Sequence, residues 1–401
     1  MAVRRIPGQR RPARARVRLL LCLLVVGGAL ATAPGSLAQA SLAPAPAASQ
    51  TVARPAARPA QPAAPVAPSV CVSGHSDTQV LSRAFDRRGP GWAGADLTAS
   101  VPLGDGRVLW LFGDTFIGRV GSSGARSRSS RMVNNSAMLQ TGSCFQAILG
   151  GTAATPAAWI APARRDGSWY WPADAVVDGG RLHVLLMHVV RTSSKIGDTV
   201  GFHRATLRLP DLTLERLDVV PGTRTRHYGI GVSRDATHVY LWGSARKAES
   251  WGRALYVSRV PRGQLAGGRF EYWTGTRWSR DAGRARPVVA DGLGHKVSVH
   301  RHAGGWLAVS KRAEFMSDDL AAWWAPRPEG PWQPLDRLLS VPRDPTPGSF
   351  TYMGGAHPAL GQPDGRLVVS WNVNTFDHKD SMADAYLYGP RFALVTVPPI
   401  R

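Results

Sequence analysis

The chain has 401 residues and a formal charge of +22, with 49 Lys and Arg against 27 Asp and Glu. That length forms one large or two ordinary domains and buries a sizeable core. Arginine supplies most of the positive charge without the aromatic interleaving of a nucleic-acid module. Nucleic acid is therefore not the expected partner, and an anionic cell wall remains one.

The first 70 residues contain no Asp or Glu. Arg4, Arg5, Arg10, Arg11, Arg14, Arg16 and Arg18 precede an apolar run at 19–31, and Ala38-Gln39-Ala40 offers a small-residue cleavage site. This pattern predicts a secretory signal peptide over residues 1–40, too short and wrongly flanked for a membrane span. Residues 41–70 are rich in Ala and Pro and read as a disordered or polyproline linker. The expected folded part is residues 71–401, secreted or cell-wall associated, with no membrane contact after cleavage. It holds Cys71 and Cys144, and two cysteines in an exported chain predict one disulfide.

From Cys71 onward short β-prone runs and tight turns dominate. An apolar run, a polar turn and a second apolar run recur five times. The turns are Gly104-Asp105-Gly106, Asp178-Gly179-Gly180, Asp235-Ala236-Thr237, Ala303-Gly304-Gly305 and Pro363-Asp364-Gly365. Five such copies predict an all-β, five-bladed β-propeller, with the strand around 391–397 closing the ring beside the first blade. A pair of β-sandwiches would not give five comparable turns.

In the first copy Asp96 lies nine residues before Asp105 and Asp114 nine after it. A three-residue loop centred on Asp105 sets these acids opposite each other, with Cβ atoms about 4.5–5.5 Å apart. A two-residue Asp105-Gly106 turn would instead set Asp96 opposite Thr115. Carboxylates held that close repel, and pairs that divide acid and base roles belong to glycoside hydrolysis. Equivalent offsets in the other copies select Tyr170, Trp171 and His188, then His227 and Tyr228. They next select His295, Lys296 and Glu314, and finally His357, Asn372 and Asn374. These polar and aromatic residues are candidates for binding a sugar polymer, with Trp169 and Tyr352 as further stacking faces. Asp174 lies four residues before its turn and is expected at the opposite end. Asn135 is expected to reach the first-copy site. No metal-ligand spacing, phosphate-binding loop or nucleophile elbow occurs, so no metal or cofactor is expected. The chain reads as a monomer.

Gly94-Ala95-Asp96, Pro102-Leu103-Gly104-Asp105-Gly106-Arg107 and Leu109-Trp110-Leu111-Phe112-Gly113-Asp114-Thr115-Phe116 resemble the opening of the domain of unknown function 4185 family. That family includes glycoside hydrolase family 183, bacterial endo-D-arabinanases. The similarity extends over about residues 71–398, ending in Trp371-Asn372-Val373-Asn374 and Tyr388-Gly389-Pro390-Arg391-Phe392. It implies a five-bladed propeller and an inverting glycosidase with its catalytic acids at Asp96 and Asp114. The expected activity is cleavage of furanosidic linkages in cell-wall polysaccharide, endo-acting on D-arabinan. Which Asp is the acid stays open. The alternative is a non-catalytic carbohydrate-binding propeller of the cell envelope, which would not need both acids.

Overall fold

The computed structural model describes residues 69–400 apart from 75, 87, 165, 194–196, 247–248 and 363. The expected signal peptide, and the linker up to residue 68, lie outside the described residues. The fold is all-β, and the described residues form seven antiparallel sheets, one of them the two-stranded pair of Gly150–Gly151 and Pro156–Ala157.

The first sheet orders Ala99–Pro102, Arg107–Phe112, Ser136–Thr141 and Cys144–Ile148, with Val70–Cys71 on its outer edge. The second orders Trp169–Asp178, Arg181–Val190, Asp198–Arg208 and Leu214–Val220. The third begins with His227–Arg234, His238–Arg246 and Arg253–Pro261. The fourth begins with Ser298–His302, Gly305–Lys311 and Asp319–Ala325. The fifth orders Ser349–Ala356, Leu367–Thr375 and Gly389–Val395. A smaller sheet of Gly89–Ala95, Thr115–Val120 and Arg131–Val133 is spliced around the first.

Four of the recurrent turns lie wholly among the described residues, and each joins a sheet's first two strands. Gly179-Gly180, with φ of 56° and 72°, makes a two-residue hairpin whose left-handed backbone glycine tolerates best. At the first turn the Leu103 N–H donates to Arg107 O at 3.0 Å, so Gly104-Asp105-Gly106 is a three-residue loop.

The second strands explain why the apolar runs are continuous rather than alternating. Leu109 and Leu111 pack toward the second sheet, whereas Trp110 and Phe112 pack toward the helix Asp77–Phe85 and the fifth sheet's Val368. Leu182, Val184 and Leu186 face the first sheet, while Leu185 and Val189 join a cluster with Trp242 and Trp306 of the third and fourth sheets. Leu307 and Val309 pack against Val369 and Trp371 of the fifth sheet. A strand covered on both faces has no polar side, so period-two alternation disappears. Each sheet thus packs on two neighbours, and the fifth packs back on the first.

Two expectations need correction. Among the described residues Gly389–Val395 pairs only with Leu367–Thr375 and does not join the first sheet. The join is made by side chains, with Phe85 stacking 5.6 Å from Phe392 and edge-on to Trp110 at 5.1 Å. Aromatic burial substitutes for a ladder there. Asp174 is also not remote from the central side of the ring. A bulge between Pro172 and Asp174 turns its carboxylate to accept from Val232 N–H of the third sheet at 2.9 Å.

Cys71 and Cys144 form a disulfide across paired strand positions, closing a sequence separation of 73 residues. The bridge restricts the unfolded chain, and its loss costs about 2–4 kcal/mol. Replacing both cysteines by serine is expected to lower the urea midpoint accordingly, and the reduced parent should match the variant. An unchanged midpoint would show that the bridge adds no stability.

Candidate active site

The first hairpin keeps one register from its loop to its open end. Ala99 pairs with Leu111, and Ala95 with Thr115 in the spliced sheet. Between them the Asp96 N–H donates to Asp114 O at 3.3 Å, and the Gly113 N–H donates to Asp96 O at 3.0 Å. The two acids are therefore held side by side by backbone, both with partly exposed side chains. Leu97, between Asp96 and the strand, has φ of 58°, a strained value for a residue with a branched side chain.

Each carboxyl has its own partners. Asp96 Oδ2 accepts from the Tyr352 hydroxyl at 2.6 Å, and that hydroxyl accepts in turn from Asn374 Nδ2 at 3.0 Å. The Tyr388 hydroxyl donates to Asp114 O at 3.1 Å. Asp96 Oδ1 is buried without a partner among the described residues. Asp114 Oδ1 accepts from Trp171 Nε1 at 2.8 Å and from Asn134 Nδ2 at 3.3 Å. Burial, followed by the neighbouring Asp114 charge, pushes the Asp96 carboxyl up to about 7. Burial also raises Asp114, opposed by the N–H donors of Trp171 and Asn134. The two titrate as a pair, and the physical result is a proton retained near neutral pH.

Beside the pair lies a buried ionic group. Lys296 is buried and its Nζ donates to Thr98 O, two residues past Asp96. Burial lowers it to about 8, while Asp174 and Glu314 favour its charge. Glu314 Oε1 accepts from the His295 N–H and lies 3.2 Å from His295 Nδ1. Its Oε2 accepts from Met353 N–H at 3.3 Å, next to Tyr352. Burial opposes the Glu314 charge, but the His295 contacts outweigh it and hold the carboxyl below its usual value. Asp174 is raised to about 7 by burial, against donors from Val232 and Ala175. Asn372 Nδ2 donates to Ala95 O and Thr98 Oγ1, both at 3.2 Å, and so fixes the segment that carries Asp96.

Several candidates from spacing do not reach the pair. Tyr170 and His188 are strand partners, but they point to the other face of the second sheet, against His203. Side-chain alternation gives the site face to Trp171, with Trp169 edge-on to it at 5.7 Å. Tyr228 is a core residue packed 5.0 Å from Tyr272, and His227 pairs with Ser244 beside Arg253. A bulge between Tyr228 and Gly231 sets that placement. His357 is fully buried, with its ring nitrogens on Ser100 Oγ at 2.9 Å and Ser370 Oγ at 2.7 Å. It is neutral because burial drives its pKa well below the ordinary value, and it ties the fifth sheet to the first. Asn135 is buried and holds the backbone of Ile160 and Tyr170, so its neighbour Asn134 is the one that reaches Asp114. Tyr388 and Asn134 carry no spacing signal in the sequence. Among the described residues, no group of three or more His, Cys, Asp and Glu is placed to hold a metal ion. Among them too, no helix is long and apolar enough to cross a membrane.

The family model that matches the chain is Domain of unknown function (DUF5005), over residues 81–396. This match overturns the resemblance to domain of unknown function 4185 and to family 183. No curated protein matches the sequence. A protein from Bacteroides ovatus described as "a putative hydrolase" is 19% identical, with a TM-score of 0.63 over 79% of this chain and 89% of that one. That likeness shows a common fold. A family-43 enzyme from Xanthomonas citri is 12% identical, with a TM-score of 0.45 over 79% of this chain and 92% of that one. An α-L-arabinofuranosidase from Podospora anserina is 12% identical, with a TM-score of 0.43 over 77% and 93%.

The raised Asp96 carboxyl has a consequence for stability. A carboxyl raised on folding contributes stability below its unfolded pKa of 3.8 and loses that contribution as pH climbs through about 7. Asp96→Asn is therefore expected to raise the thermal midpoint above that of the parent at pH 8, with the gain vanishing near pH 4. A gain that is equal at both pH values would mean that Asp96 is not raised.

Proposed function

We propose that this chain, which belongs to the DUF5005 family, is an exported glycoside hydrolase built as a five-bladed β-propeller. The five sheets are its blades, and the acid pair of the first blade lies at the mouth of the ring. The reading is carried by one observation: backbone hydrogen bonds hold the Asp96 and Asp114 carboxyls side by side, where burial raises both. A structural acid pair gains nothing from that repulsion, whereas general acid–base catalysis uses a pKa near the working pH.

The donors divide the roles. Two N–H groups on Asp114 Oδ1 favour its ionised form, whereas on Asp96 burial and the Asp114 charge outweigh the Tyr352 donor at Oδ2. Asp96 is the acid that protonates the leaving glycosidic oxygen. Asp114 is the base that takes a proton from water as its oxygen attacks the anomeric carbon. The sugar–oxygen bond breaks with its electron pair going to the leaving oxygen, and the water oxygen forms the new bond. With Asp114 acting on water rather than attacking the sugar itself, the course is inverting. Trp171 and Tyr352 hold the two acids by their polar tips and leave ring surface for sugar faces.

The proposed substrate is a furanosidic cell-wall polysaccharide, with endo cleavage of D-arabinan as the specific case. The chain's net positive charge suits a polymer held in an anionic wall. Incubation with actinobacterial D-arabinan, followed by NMR of the first-formed ends, is expected to show oligosaccharides of inverted configuration. Asp96→Asn and Asp114→Asn should each reduce kcat about 10²–10⁴-fold while retaining polymer binding. The rate should fall above about pH 7, where Asp96 loses its proton. Binding by the parent without release of sugar from D-arabinan, L-arabinan or arabinoxylan would instead identify a carbohydrate-binding protein.

A further inference from the structure

A row of aromatic side chains leaves the acid pair and runs outward over three sheets. Tyr352, which donates to Asp96, has its ring 5.3 Å from Phe350. Phe350 lies 4.6 Å from Phe376 and 5.9 Å from Phe315. Phe315 is edge-on to Trp251 at 5.7 Å. Three of these rings are open to solvent, with Phe376 73%, Trp251 58% and Phe315 41% exposed.

Their positions follow from the topology. Phe350 starts the fifth sheet's first strand, and Phe376 follows the end of its second. Phe315 follows the end of the fourth sheet's second strand, and Trp251 lies between the third sheet's second and third. All sit at the end of the sheets that carries Asp96 and Asp114. Left-handed backbone at Ala313 (φ 48°) and Glu314 (φ 52°) turns the chain so that Glu314 points inward to His295 while Phe315 stays outside. Folding alone does not reward exposed rings or strained residues.

We infer that this row is an extended binding platform for a neutral polysaccharide chain leading into the acid pair. Sugar rings offer apolar C–H faces to aromatic rings and hydroxyl edges to polar groups. Both kinds of partner are present, since the half-exposed His295 and the Asn374 amide border the row. Its continuity with Tyr352 distinguishes it from a protein-docking patch, because a partner seated there would cover the acids. The inference rests on the glycosidase reading for the direction of the chain and extends it to a polymer rather than a short glycoside.

The test is affinity electrophoresis of the full chain, carrying Asp114→Asn, in gels holding D-arabinan, L-arabinan or arabinoxylan. Trp251→Ala, Phe315→Ala and Phe376→Ala together should weaken retention by the retarding polymer about tenfold without lowering the thermal midpoint. Val219→Ala, at a 69% exposed apolar residue elsewhere, should leave retention unchanged. Equal retention of the triple variant and its background overturns the inference, as does absence of retention by all three polymers. A dimer in solution that the triple variant dissolves also overturns it, identifying the row as a protein contact. Retention that depends on the row in a parent without hydrolysis keeps the platform and removes the enzyme. Hydrolysis with unaltered retention does the reverse.

Discussion

Two backbone hydrogen bonds, from Asp96 N–H to Asp114 O and from Gly113 N–H to Asp96 O, force two acids into company that their charges oppose. Everything around the site answers that constraint. The repulsion is relieved by keeping a proton on the pair and by donors from elsewhere, Trp171 from the second sheet and Tyr352 from the fifth. The first hairpin supplies both acids, and the Trp171 and Tyr352 donors reach them only when the second and fifth sheets pack against the first. Arg126 secures one part of that closure. It is buried, donates to Ala93 O at 2.8 Å and to Tyr388 O at 3.0 Å, and lies over the Phe116 ring at 4.5 Å. An always-charged, many-donor side chain suits a place where several backbone carbonyls converge.

How much of this was readable in the sequence depends on which periodicity was in play. Turn chemistry and continuous apolar runs carry the sheet succession, because glycine at left-handed positions and strands covered on both faces leave direct marks. The opposition of Asp96 and Asp114 was legible for the same reason, since the Gly104-Asp105-Gly106 loop fixes the register. Faces were harder. Tyr170 and Trp171 differ by one position, and alternation sends one into the core and the other to Asp114. Bulges at Pro172/Asp174, Tyr228/Gly231 and Tyr352/Gly355 shift the count at the end where it matters most. A bulge redirects a side chain without changing composition, so spacing could not locate Asp174 or separate Tyr228 from the site. Tyr388 reaches the pair across 274 residues of sequence, a contact that only tertiary packing defines.

The resemblance failed for a related reason. An apolar hairpin ending in Phe-Gly-Asp-Thr encodes local geometry: a buried strand, a tight exit and an acid at the rim. Gly113 is close-packed there, since a Cβ on it would meet Asp96 Oδ1 at 2.6 Å. Any chain that sets an acid pair at such a rim needs a small residue before the second acid. A motif that short describes local geometry and did not identify the family, which is DUF5005 over residues 81–396.

The charges around the axis show why the reacting proton belongs to the first sheet. Glu314 is held ionised by His295 and faces the Lys296 charge, so it has no proton to give. Asp174 is raised, yet its two oxygens accept from Ala175 and Val232 N–H groups and its charged neighbour is Lys296. His357 is neutral and engaged on both ring nitrogens by serines. Each of these groups is matched by a partner that fixes its state. Asp96 keeps one oxygen unmatched beside a second acid, and an unmatched buried oxygen is costly unless it carries a proton or meets a ligand. Asp96 Oδ1 is one of several buried side-chain polar atoms without a partner among the described residues, and it is the one that belongs to an acid held beside a second acid.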